Sequence, residues 1–60
     1  MNDADTIKLI NEKLIHDVVD FFGKDESYRR FNRMRTTNPE DYSYMCNLIG
    51  RDVLEFVNSL

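Results

Sequence analysis

Cys46 and His16 are the only cysteine and the only histidine in this 60-residue chain, so any thiol or imidazole chemistry must start from them. A nucleophile–base pair would have to bring Cys46, or a serine, within about 3 Å of His16. Helical periodicity puts His16 on the polar side of one helix and turns Cys46 into the apolar stripe of another. The pair is therefore not expected to meet, and Cys46 reads as a small buried hydrophobe. Gly23 and Gly50 are the only glycines, too few for a glycine-rich phosphate loop. No catalytic residue and no cofactor are expected, and the chain reads as a non-enzyme.

Metal chemistry has equally little to draw on. Glu12, His16 and Asp20 stand at i, i+4 and i+8, a row that could offer oxygen and nitrogen ligands. The row drifts by about 40° per step around a helix, so it presents two ligands at once, and a solvated charged face is the expected role. A classical structural zinc site draws on four Cys or His ligands, and an internal disulfide needs a second cysteine; one Cys and one His exclude both.

The charged residues are distributed more informatively. Residues 24–35 hold five cations and two anions, whereas residues 1–23 hold two cations and five anions, and residues 36–60 one cation and four anions. A basic segment is thus flanked by two acidic ones in a chain of net charge −3. Four of its arginines, Arg29, Arg30, Arg33 and Arg35, fall within seven residues. Arginine is favoured where one protein docks on another, and an acidic protein surface is the expected partner. Nucleic acid is the alternative partner, since the same cations could neutralise phosphates. Tyr28 and Phe31 share an apolar side with Met34, however, which suits packing better than base stacking, and the acidic flanks repel phosphate. A third reading is structural: Arg29, Arg30 and Arg33 neutralise Asp17, Asp20, Asp52 or Glu55.

These residues need a scaffold, and periodicity supplies an all-α one, a single domain with helices over 4–22, 26–35 and 39–58. In the first, Ile7, Ile10, Leu14, Ile15, Val18, Val19, Phe21 and Phe22 cover an arc of about 180°. One burial partner needs a stripe nearer 100° wide, so this helix is expected to serve two surfaces. Asp3 and Asp5 suit its first turn and Gly23 its end. Before the third helix, Asn38-Pro39-Glu40-Asp41 reads as a cap, a first-turn proline and two acids set against the helix dipole. Gly50 falls inside that helix and costs about 1 kcal/mol relative to alanine, which suggests close approach of another helix. Tyr44, Leu48 and Leu54 fall outside the third helix's apolar arc and form a second candidate partner surface. The expected architecture is two long antiparallel helices joined by a short crossing helix.

So short a chain buries only about 60% of its unfolded surface, and self-association is the expected remedy. A homodimer is expected through Ile7, Asn11, Leu14, Ile15, Val18, Val19 and Phe22 of the first helix. Asn11, a polar residue within that arc, could fix the register of such a dimer or reach water at its edge. No apolar run approaches the ~20 residues of a membrane span, the N-terminus is acidic, unlike a secretory signal, and the lone cysteine suits a reducing compartment. A cytoplasmic regulator or inhibitor is the resulting expectation, by analogy of size and class with the many small helical regulators that bacteriophages encode.

Overall fold

The computed structural model describes residues 3–60. Four helices, α1 (Asp3–Phe22), α2 (Lys24–Thr37), α3 (Pro39–Ile49) and α4 (Val53–Ser59), account for the described chain, which contains no strand. The all-α expectation holds. The single long third helix does not: the chain breaks at residues 50–52, and α3 and α4 are separate elements.

The cause of the break is local. Gly50 takes φ 70° and ψ 22°, the left-handed conformation that ends helices. The Arg51 N–H folds back to the Cys46 carbonyl at 3.2 Å. Asp52 is extended and restarts the helix, its carboxylate accepting from the N–H groups of Leu54 and Glu55 at 2.9 and 3.2 Å. Gly50 is therefore needed for its positive φ, not for close approach of a helix. Its nearest neighbours are Lys8 side-chain atoms, no closer than 3.8 Å to the position a Cβ would occupy.

Each of the other boundaries has its own reason. Gly23 links α1 to α2 at φ 86° and ψ 157°, backbone that L-residues avoid, and its N–H closes on the Val19 carbonyl at 2.8 Å. Asn38 ends α2 through its N–H to Met34 and precedes Pro39 in the first turn of α3. Its side chain does not cap α3 as the sequence suggests. The amide donates instead to the Asp41 carboxylate at 2.6 Å, leaving no oxygen turned to the helix N–H groups.

The core gathers Ile15 of α1, Phe31 of α2, Tyr42 and Ile49 of α3, and Val53, Leu54, Phe56 and Val57 of α4. The break re-aims Leu54: a residue expected at the surface of a continuous helix is buried, with 5% of its surface exposed. Lys24 fastens the start of α2 to the end of α4, its ammonium donating to the Asn58 carbonyl at 2.7 Å, where the helix dipole favours a cation. Ser27 is fully buried between α1 and α2 and donates to the Val18 carbonyl at 3.3 Å. Helix α1 is the exception to good burial, since Ile15 alone of its side chains is buried.

Candidate interaction surfaces

Two exposed surfaces stand out, one polar and one apolar. The polar surface lies on α2, where three arginines share a shallow pocket with one acid, Glu26. The i+3 and i+4 spacing brings both Arg29 and Arg30 onto that carboxylate. Arg29 Nε donates to Oε2 at 3.1 Å and Arg30 Nε to Oε1 at 2.9 Å. The hydrogen bond from Arg29, with that from Arg30 and both charges, holds the Glu26 carboxyl below its usual range. Arg30 also lies over the Phe22 ring, 4.2 Å from its centroid, a cation–π contact that tethers α2 to the end of α1. Arg33 completes the pocket, its guanidinium making no hydrogen bond or ion pair among the described residues while its carbonyl accepts from the Thr37 hydroxyl at 3.0 Å. Arg35 stands slightly apart, its Nη2 donating to Asn32 Oδ1 at 3.0 Å.

Three of the four carboxylates expected to neutralise this cluster are engaged elsewhere. Asp17 pairs with Lys13 at 3.4 Å, and Asp20 with His16 at 3.2 Å. Asp52 caps α4 and accepts from the Tyr42 hydroxyl at 2.8 Å. Glu26, four residues before Arg30, is the acid that sequence reasoning passed over. Phe31 is buried, and Tyr28 and Met34 pack against the core, so α2 shows its arginines outward and its aromatics inward.

The apolar surface belongs to α1. Ile7, Ile10, Leu14 and Phe21 are exposed, Leu14 by 55% and Phe21 by 81%. At about 100° per residue they fall within one strip of about 60°, beside the stripe of Ile15, Val18 and Val19 that meets the core. The wide apolar arc thus splits into a core-facing half and an outward half. Of the residues expected at an oligomer interface, Ile7 and Leu14 are exposed and available. Ile15 is buried within the chain, Val18 and Val19 pack against the core, and Phe22, 39% exposed, carries Arg30 over its ring. Ile10 and Phe21 belong on the outward strip instead, marked by the three-residue spacing of Ile10 from Ile7 and the seven-residue spacing of Phe21 from Leu14. Asn11 is half-buried, and its amide donates to the Ile7 carbonyl of its own helix at 2.8 Å.

Beside the strip, α1 and α3 leave an apolar pocket of about 180 Å³. Leu14, Ile15 and Val18 form one wall, Met45, Leu48 and Ile49 the other, and Phe31 also lines it. Leu48, expected at a surface, thus serves the pocket, while Tyr44 remains 65% exposed elsewhere on α3.

The chemistry-bearing residues stay apart. Cys46 is half-buried against the core and His16 is exposed on α1. His16 gathers with Asp17 and Asp20, not with Glu12, their ligand atoms within 4.8 Å of one another. All three are exposed, and two carboxylates supply few of the six or more oxygens that a hard divalent ion takes. No helix among the described residues is long and apolar enough to cross a membrane. Comparison with known protein families, with curated proteins and with solved structures finds no match for this chain.

Proposed function

We propose that this chain is a non-enzymatic, protein-binding regulator or inhibitor that docks on an acidic protein surface through the arginine face of α2. One observation carries the reading: Arg29, Arg30 and Arg33 share one exposed pocket, and Glu26 is its only acid. Glu26 and the Phe22 ring hold two guanidinium groups in place, so a bound carboxylate would immobilise less free side chain. The Arg33 guanidinium is free to donate to a carboxylate in bidentate fashion. Nucleic acid is a poorer fit, because Tyr28 and Phe31 pack inward and acidic helices flank the cluster. A reducing, cytoplasmic setting agrees with the single free thiol of Cys46. Self-association through the outward strip of α1 belongs to the same reading, and a dimer would present the arginine face twice.

The test is capture of partners by the tagged chain from native lysate, with and without nuclease, repeated with Arg29→Glu/Arg33→Glu. A nuclease-resistant protein lost on charge reversal, with helix content unchanged, is the expected result. Capture of nucleic acid alone overturns the reading. Charge reversal that melts the fold makes the arginines structural and overturns it as well.

A further inference from the structure

We propose that the partner segment docking on the arginine face is an acidic one that also carries an aromatic side chain, and that Phe21 and Phe22, at the α1–α2 corner, seat that ring beside the carboxylates. The inference rests on the arginine reading above and names the kind of segment it takes.

A continuous run of contacts joins two aromatic rings to the arginine pocket. Phe21 meets Phe22 edge to face, with 4.8 Å between ring centres. Phe22 carries the Arg30 guanidinium 4.2 Å from its own ring centre. Arg30 Nε reaches Glu26 at 2.9 Å, and Glu26 lines the pocket with Arg29, Arg30 and Arg33. Phe21 is 81% exposed, so the run ends in open apolar surface. It stands about two turns past Leu14, which leaves Ile7, Ile10 and Leu14 to self-association. Aromatic residues and arginine are the types enriched where proteins meet.

Charge decides what covers this corner. The pocket sets three guanidinium groups against one carboxylate, a surplus of two positive charges. Arg30 bonds Glu26 through Nε alone, so its Nη groups are open to one further acid and the Arg33 guanidinium to another. Extended chain advances about 3.3 Å per residue, so an acid within about three residues of the aromatic spans the reach from Phe21 across Phe22 to Arg30. Asp17 and Asp20 precede Phe21 on α1 and are paired with Lys13 and His16. They repel further acids, so the segment is oriented with its ring on Phe21 and its carboxylates towards α2.

Fluorescence polarisation with two labelled glutamate-rich peptides tests this, one carrying a single central tryptophan and the other serine in its place. The tryptophan peptide should bind the wild type about tenfold tighter, the effect of one aromatic contact. Phe21→Ala should remove that advantage and leave the serine peptide unchanged, with helix content unaltered because the ring is exposed. Leu9→Ala, also at an exposed position of α1, should alter neither. Equal binding of the two peptides overturns the inference, as does a tryptophan peptide indifferent to Phe21→Ala or a loss common to both peptides. Those outcomes leave the arginine reading standing. If neither peptide binds, or if Arg33→Glu changes nothing, the arginine reading falls and the inference with it.

Discussion

Replacing Asp52 with alanine removes the one carboxylate on which the α3–α4 junction turns. That carboxylate accepts from the N–H groups of Leu54 and Glu55, and from the Tyr42 hydroxyl at 2.8 Å. Losing the helix cap costs about 1 kcal/mol. Tyr42 is 6% exposed, and stripping its hydroxyl of an acceptor adds about 1–3 kcal/mol. The sum, about 2–4 kcal/mol, approaches the ~3–5 kcal/mol that a core of this size supplies in all. Asp52→Ala should therefore sit near its unfolding midpoint at room temperature, read by circular dichroism against urea. Tyr42→Phe, which deletes the donor and leaves the cap, should cost less. The double variant should be less destabilised than the two single losses added, by about 1 kcal/mol or more. Strict additivity, or an Asp52→Ala loss below about 0.5 kcal/mol, would refute the coupling.

The same pair sets a pH dependence at both ends. The Tyr42 hydroxyl bond, with the Leu54 and Glu55 N–H groups and a smaller effect of the Arg35 charge, lowers the Asp52 carboxyl below its ordinary value of 3.8. The folded state thus favours the ionised form, and the stability it contributes is present above about pH 4 and lost as pH falls through the folded value. Burial and the Asp52 carboxylate raise the Tyr42 hydroxyl above its ordinary value of 10.0. Its contribution is present below about pH 10 and lost as pH rises beyond it. Tyr42→Phe should abolish the alkaline loss and reduce the acid one, as seen in melting temperature against pH.

Three further outcomes follow from particular residues. Gly50→Ala and Gly23→Ala both force a side chain onto positive φ, at 70° and 86°, and each should lower stability by about 1–2 kcal/mol in urea denaturation, although neither adds a clash. Ile49→Ala, at a position with no exposed surface, should cost about 2–5 kcal/mol and unfold most of the population, while Leu9→Ala, at 55% exposure, should leave the melting curve unchanged. Glu26→Gln should keep the fold but release Arg29 and Arg30, and a titration with an acidic peptide should then show a weaker, more salt-sensitive complex if their ordering matters.

The helical class, α1 and the start of α3 were legible because each rests on short-range signals: period, proline position and a glycine at the end of a run. The break between α3 and α4 was not, although Gly50 and Asp52-Val53-Leu54-Glu55 spell a helix stop followed by an acidic cap with an acid three residues on. Apolar periodicity masked it. Ile49, Val53, Phe56 and Val57 remain in helical phase across the break, so one long stripe fits them as well as two short ones. Which half of the α1 arc meets the core was also hidden, because Ile10 and Ile15 are equivalent as sequence and differ only once α2 and α3 cover one side. The destination of the arginines turned on Glu26, a local i+3/i+4 contact that competes successfully with every more distant acid.

The lengths and burdens of the helices are inverted in this chain. Helix α4 has seven residues and four of them are buried, whereas α1 has twenty and buries one. Isolated helices as short as α4 do not persist in water, so α4 exists because the core holds it and the Asp52–Tyr42 clasp starts it. Helix α1 stands in the opposite relation to the core. With two acids in its first turn and long enough to propagate, it depends less on packing and leaves half its apolar arc outside. A chain this small gains nothing from displaying Phe21 and Leu14 to water, and the docking and self-association proposed above would relieve that exposure. Helix α1 thus contributes little of its apolar arc to its own fold, while α2, in contact with all three other helices, keeps its arginines facing out.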